Sequence, residues 1–342
     1  MQKYFTLFFI GFILISGSCN NTPPENLEEK KRIQDSIDLV LENERKERER
    51  PRVGTDIQLN ENLQFTDYTL ENEYEYEGEK RSFQLEKIKE VIAYIENFQK
   101  LEGEYAVLQN YRNSNGEAPT VANYKRNDYK RVSDTLGTER YQSVPLYEDS
   151  NHKLPSIYGR DGSLVRLLSA DSLDFVKIEG ISFNGEWYVP KRYVKNLGSE
   201  LDFKKIAVVD NTHQNIMTLE KKDYCFWDIL SKNPATTGVH KPPYSQITPP
   251  GIYVAQEKKV KMFYTKDGTS TIEGYAPYAT RFTNGAYIHG VPVNNPNGKI
   301  IEYSWSLGTT PRSHMCVRNA SSHAKFVYDW IDLSSGLIIV ID

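Results

Sequence analysis

Cysteine is scarce in this chain, with three residues, Cys19, Cys225 and Cys316, among 342. A small fold stapled by disulfides is therefore excluded. A basic excess is lacking as well. Lys and Arg number 42 against 46 Asp and Glu, and a net charge of −4 gives no positive field to hold nucleic acid, so that partner is set aside. The apolar run from Phe5 to Ile15 is too short to span a bilayer comfortably.

What is present is ordinary globular material: 39% hydrophobic and 26% charged residues, at a length that suggests two or three domains. Tyrosine is the exception. Its 23 copies favour β-rich structure and surfaces that stack on a sugar or peptide.

The first 19 residues, MQKYFTLFFIGFILISGSC, place one lysine before the apolar run and small residues after it, the layout of a secretory signal. Ser16, Gly17 and Ser18 before Cys19 resemble a bacterial lipoprotein cleavage site, which implies a lipid on Cys19. The chain is expected to be exported to the cell envelope or periplasm and held at a membrane, with the outer membrane favoured because Asn20 follows Cys19. Plain signal cleavage is the alternative.

Residues 20–83 read as a polar and charged stalk, ending its most charged part in NERKERERPR. Within 84–130, a helical linker region, Leu85, Ile88, Val91, Ile92, Ile95 and Phe98 recur at helical spacing. From 131 to 197 short alternating segments separated by turns argue for a small β-barrel. Its end, GEWYVPKRYV, resembles the close of a bacterial SH3-like domain through Trp187, Val189, Tyr193 and Val194. Such modules often bind peptidoglycan or a neighbouring domain. Residues 203–342 are strand-rich again, with one short helix signalled by Ala324, Val327, Tyr328 and Ile331 and a serine cap at Ser321 or Ser322.

The chemistry concentrates in SHMCVRN, Ser313 to Asn319. A cysteine becomes a nucleophile when a basic or positive neighbour populates its thiolate. His314 is close in sequence, but residues i and i+2 of a strand sit roughly 6 to 7 Å apart. His289, in YIHG at the end of an expected strand, approaches Cys316 from a neighbouring strand, so it is assigned the base and His314 an orienting role. The main-chain N–H groups of Met315 and Cys316 are the candidate oxyanion donors, and Arg318 offers a fixed charge for a substrate carboxylate. His289, His314 and Cys316 also make a candidate zinc set. H-x-C is not a common ligand spacing and no fourth ligand presents itself, so neither metal nor cofactor is expected.

YIHG followed by LGTTPRSHMCVR resembles the signature of the L,D-transpeptidases, bacterial cell-wall enzymes with histidine-glycine, a spacer, then S/T-H-G-C-hydrophobic-R/N. Thr237, Gly238, Thr248, Pro249, Gly251 and Tyr253 match the family's upstream segment, PYATRFTNGAYIHG its histidine strand and GLIIVID its last strand. The resemblance implies a mainly β protein with a β-sandwich-like catalytic domain. It implies Cys316 attacking the bond between the third residue and the terminal D-alanine of a peptidoglycan tetrapeptide stem, releasing D-alanine and forming 3-3 cross-links. His289 would be the base, Gly290 would let the chain turn near its ring, Ser313 and His314 would shape the pocket, and Arg318 would fix substrate or loop. Tyr278 and Arg281 are candidates to line the cleft, with strand packing as the competing reading, and NNPNGKIIEYSWS forms a loop over it. Met315 stands where the family has glycine, so a turn that needs φ > 0 there would be strained. L,D-carboxypeptidase activity in the same site and a catalytically weak peptidoglycan-binding module are the rival functions. His213, His240 and His323 read as surface or structural residues.

Overall fold

The computed structural model describes residues 27–149, 153–169 and 174–342; the signal, Cys19 and the start of the tether lie outside the described residues. Two compact units divide at Arg50. The first contains helix α1, Leu27–Glu49, an exposed charged helix laced by i,i+3 and i,i+4 pairs such as Glu42–Arg45 at 2.9 Å and Arg45–Glu49 at 3.3 Å. Among the described residues, no helix is long and apolar enough to cross a membrane.

The second unit, from Pro51 onward, is mainly β. Its centre is a six-stranded sheet ordered Gln58–Glu61, Phe226–Pro234, Asn215–Asp223, Lys205–Asp210, Leu337–Ile341 and Gly251–Val254. KIAVVD is apolar on both faces because both faces are covered. Ile206 and Val208 pack with Ile88, Ile92, Ile95 and Phe98 of helix α2, Leu85–Lys100, whereas Ala207 and Val209 pack with Phe282, Ile288, Val317 and Val327. The latter residues come from a four-stranded sheet and from helix α3, Ser321–Trp330. That sheet runs Glu257–Thr265, Ile272–Thr283, Ala286–His289, Val317–Arg318. Two sheets with a shared core form the sandwich expected for the C-terminal region.

Three domain boundaries are redrawn. Residues 51–83 belong to the folded unit, not to a stalk: Gln58–Glu61 pairs in parallel with Phe226–Ile229, Tyr74 Oη donates to His213 O at 2.7 Å, and Phe83 is buried. This strand lies at the sheet edge with only Leu59 half-buried, so its polar composition resembles a tether. Helix α2 is no linker either, since Ile92 and Ile95 are fully buried under the central sheet. The preceding β unit starts at 104 rather than 131, because Glu104–Leu108 sits inside a five-stranded antiparallel sheet with 164–169, 175–180, 186–190 and 194–198.

A buried knob is among the contacts that fasten that smaller sheet to the sandwich. Asp161 accepts from Arg281 Nη1 at 2.5 Å, Asn110 N at 2.8 Å and Asn284 N at 3.1 Å. Gly162 follows with φ of +86°, where an added Cβ would lie 1.8 Å from Phe282 O. Only glycine fits there.

Candidate active site

A two-residue turn, Asn284-Gly285, joins Ile272–Thr283 to Ala286–His289. Asn-Gly accepts the positive φ that such tight hairpins demand, and Asn284 has φ of +42°. The hairpin delivers His289 beside Val317–Arg318, with Ile288 opposite Val317 and His289 opposite Arg318 in parallel register. Ile288 and Val317 both point into the core, fully buried. By strand alternation His289, Arg318, Cys316 and Tyr287 share the other face.

His289 is buried, and its Nδ1 lies 2.7 Å from Gly290 O. A carbonyl only accepts, so Nδ1 carries the proton and Nε2 presents a lone pair. Burial, with some help from the Arg318 charge, pushes the imidazole down to about 4, so it is neutral at physiological pH. Among the described residues, the thiol of Cys316 donates to Gly285 O at 3.6 Å rather than to the imidazole. Burial pushes this thiol up, opposed by the Tyr287 main chain and by Arg318. Resting Cys316 and His289 are thus both neutral. The arrangement holds a proton donor and a proton acceptor on one face, ready for transfer when a carbonyl arrives.

Arg318 is largely buried, and among the described residues its Nε has no hydrogen-bond partner. A cation so placed beside the sulfur suits a substrate carboxylate.

The turn before Cys316 is locked from two sides. Ser313, buried, donates to Cys316 O and accepts Met315 N at 3.3 Å. Thr248 Oγ1 donates to Met315 O at 2.8 Å, and it accepts from Gly238 N at 2.8 Å. Met315 has φ of +147°, the region that favours glycine, so the strain anticipated from its sequence position is present. Its side chain packs on the sandwich core. Gly238 is needed by close approach: an added Cβ would lie 2.1 Å from Gln246 O and 2.8 Å from Met315 Cα.

Other expected site residues lie elsewhere. His314 is exposed and its Nε2 meets Asp267 Oδ2 at 3.1 Å, so it faces away from a shared cluster with Cys316 and His289. Among the described residues no group of three His, Cys, Asp or Glu side chains is placed to hold a metal. Gly290 does not turn the chain through positive φ; its lack of Cβ leaves room for Ser321 Oγ, 2.6 Å from where that atom would be, and Pro277. Tyr278 packs on helix α3, 6.1 Å from the Tyr328 ring, and Arg281 is buried on Asp161; both hold structure rather than line the cleft. Cys225 and Cys316 are both free.

Three contributors escape a reading of the sequence. Gly285 and Tyr287 touch the sulfur through main-chain atoms, which carry no side-chain signature, although the Asn-Gly pair marks the turn. Ser321 Oγ accepts from Val291 N at 3.2 Å and donates to Ile301 O at 2.6 Å, tying the loop after His289 to helix α3.

Residues 204–341 match the family model of the L,D-transpeptidase catalytic domain, YkuD. No curated protein matches the chain. Among solved structures, the chain is similar to an L,D-transpeptidase from Mycobacterium smegmatis at 18% identity, covering 52% of this chain and 82% of that one, TM-score 0.33. An L,D-transpeptidase from Mycobacterium tuberculosis H37Rv is 17% identical over 59% and 77%, TM-score 0.31. An L,D-transpeptidase (Yku) from Stackebrandtia nassauensis is 23% identical over 42% of this chain and 59% of its own length, TM-score 0.29. The family match, residues 204–341, spans the sandwich that carries His289 and Cys316.

Proposed function

We propose that the chain is a cell-envelope L,D-transpeptidase that uses Cys316 as nucleophile and His289 as base. The observation that carries this is the tautomer of His289: Nδ1 is committed to Gly290 O, leaving Nε2 as acceptor on the sheet face shared with the thiol.

The Cys316 proton passes to His289 Nε2 as sulfur bonds to the carbonyl carbon of the third stem residue. The N–H of Cys316 is assigned to the oxyanion, since that of Met315 donates to Ser313 Oγ at 3.3 Å. The C–N bond to D-alanine then breaks, and the proton on His289 goes to the leaving amine. In the second half an amine of another stem gives its proton to His289 and attacks the thioester, and the sulfur leaves and is reprotonated. Arg318 holds a carboxylate of the donor stem. The signal and Cys19 would place this domain outside the cytoplasm at a membrane, and the 104–198 unit is read as an SH3-like module that positions it.

The test uses protein from Asn20 onward with purified disaccharide-tetrapeptide, followed by mass spectrometry. Loss of D-alanine with dimers joined through their third residues is expected, and none with Cys316→Ala. D-alanine release without dimers would instead establish a carboxypeptidase.

A further inference from the structure

The hairpin that carries His289 also lays a row of side chains across the four-stranded sheet. Glu257 stands opposite Arg281, Arg281 opposite Tyr287, and Cys316 comes one residue before Val317, the partner of Ile288. Side chains in one such row share a face, so Tyr287 stands between Arg281 and Cys316. Tyr287 is buried, and a buried phenol needs hydrogen-bond partners. Its hydroxyl donates to Glu257 Oε2 at 3.0 Å, accepts from Lys259 Nζ at 3.2 Å and lies 3.4 Å from Tyr111 Oη. At its other end the Tyr287 main chain hydrogen-bonds the sulfur of Cys316.

Tyr111 comes from the smaller β unit, in the loop after Glu104–Leu108 and outside the segment that the family model matches. That loop is built to hold one position. Tyr111 N donates to Asp161 Oδ1 at 3.1 Å, and the Arg281 guanidinium lies over the Tyr111 ring, 4.4 Å from its centroid. Arg112 and Asn113 follow with φ of +54° each, and Gln142 has φ of +60°. These three bond to one another: Arg112 N donates to Gln142 Oε1 and Gln142 N to Asn113 Oδ1, both at 2.8 Å. Non-glycine residues in the left-handed region are strained and persist where their surroundings hold them, and here three are gathered behind the residue that meets Tyr287.

We infer that Tyr287 and Tyr111 are positioning residues for Cys316: Tyr111 pins the Tyr287 hydroxyl from the smaller unit, and Tyr287 fixes the strand whose main chain holds the sulfur. Their part in acyl transfer rests on the proposed transpeptidase reading; their hold on the thiol does not. A hydrogen bond to sulfur favours the thiolate, so a loosened Tyr287 leaves the thiol harder to ionise.

The test is the pH profile of Cys316 alkylation by iodoacetamide, read by mass spectrometry on the Cys316 peptide of the full-length protein, beside steady-state D-alanine release. Tyr287→Phe and Tyr111→Ala are each expected to move the profile to higher pH and to slow alkylation at pH 8 about 3- to 10-fold, with kcat reduced and KM unchanged. Tyr111→Phe, which keeps the ring under Arg281, should lose less than Tyr111→Ala; with Tyr287→Phe it carries the test should the alanine variant fail to fold. His289 and Arg318 on the same face, and Glu257, Lys259 and Arg281 around the two phenols, are intact in every variant. Profiles of all three variants that superimpose on that of the unsubstituted protein would overturn the inference. So would a fall in turnover with an unmoved profile, which would place the two tyrosines in the path of the substrate. A moved profile in a protein that releases no D-alanine would uphold the hold on the thiol and remove the transpeptidase reading instead.

Discussion

Burial sets the protonation of the proposed catalytic pair. His289 titrates at about 4 and the Cys316 thiol above its ordinary value, so no thiolate–imidazolium pair exists at rest. The acid limb of D-alanine release should therefore fall near pH 4 rather than near the ordinary histidine value, and a limb near 6.5 would contradict the assignment. His289→Ala should lower the single-turnover rate by about 10²- to 10⁴-fold. It should leave slow alkylation of the thiol at alkaline pH almost unchanged. Met315 supplies a second test at this scale. Both Met315→Gly and Met315→Ala lose the packing on the core, but only glycine relieves the positive φ, a strain of about 1–3 kcal/mol. Urea unfolding should rank Gly above Ala, and the reverse order would show the turn to be unstrained. SHMCVR and YIHG single out the proposed nucleophile and base because their residue types carry the chemistry. The partner of His314 is hidden, because Asp267 reaches it from a hairpin tip 47 residues away.

Individual elements owe their placement to contacts the sequence shows only as composition. Helix α2 has the apolar spacing of a core helix, yet no local signal says which sheet it covers. Its burial follows from Ile206, Val208, Met217 and Leu219, all more than 100 positions downstream. The strand at Gln58–Glu61 is illegible for the opposite reason, since an exposed edge needs few apolar residues. Gly238 tests how tightly one element holds the reaction loop. In Gly238→Ala the new methyl group meets main chain at Gln246 and Met315, which cannot swing aside as a side-chain end could. Stability should fall by about 1–3 kcal/mol and turnover with it. Wild-type unfolding and turnover would show that the 246–248 and 315 segments are free to separate.

Across the whole second unit, the smaller sheet and the sandwich meet at a charge pair whose partners are 120 residues apart. Neither residue advertises this in sequence, and Arg281 reads there as a cleft residue for lack of a visible partner. Arg281→Ala leaves the Asp161 carboxylate buried without its cation, a loss of roughly 3–5 kcal/mol. Because Asn284 N also bonds Asp161, the same change should loosen the turn that presents Gly285 to the sulfur and reduce turnover. An unaltered unfolding midpoint in that variant would remove the knob from the account.

Acid stability is a second property of the whole unit. His289 and His323, buried in different parts of the sandwich, titrate at about 4 and about 3 against an unfolded value near 6.5. On acidification the unfolded chain takes up these protons first. The stability they contribute is complete above about pH 6.5 and is lost as pH falls toward the folded values, with a slope of roughly 1.4 kcal/mol per pH unit for each histidine. His323→Gln should remove one proton's share of that slope, and an unchanged slope would refute its neutral burial.

The central claim is covalent and can be read by mass. Protein mixed with disaccharide-tetrapeptide, quenched in acid within the first turnover and digested, should carry the stem less D-alanine on the Cys316 peptide alone. D-alanine release with that peptide unmodified, or an adduct on another residue, would contradict Cys316 as the nucleophile.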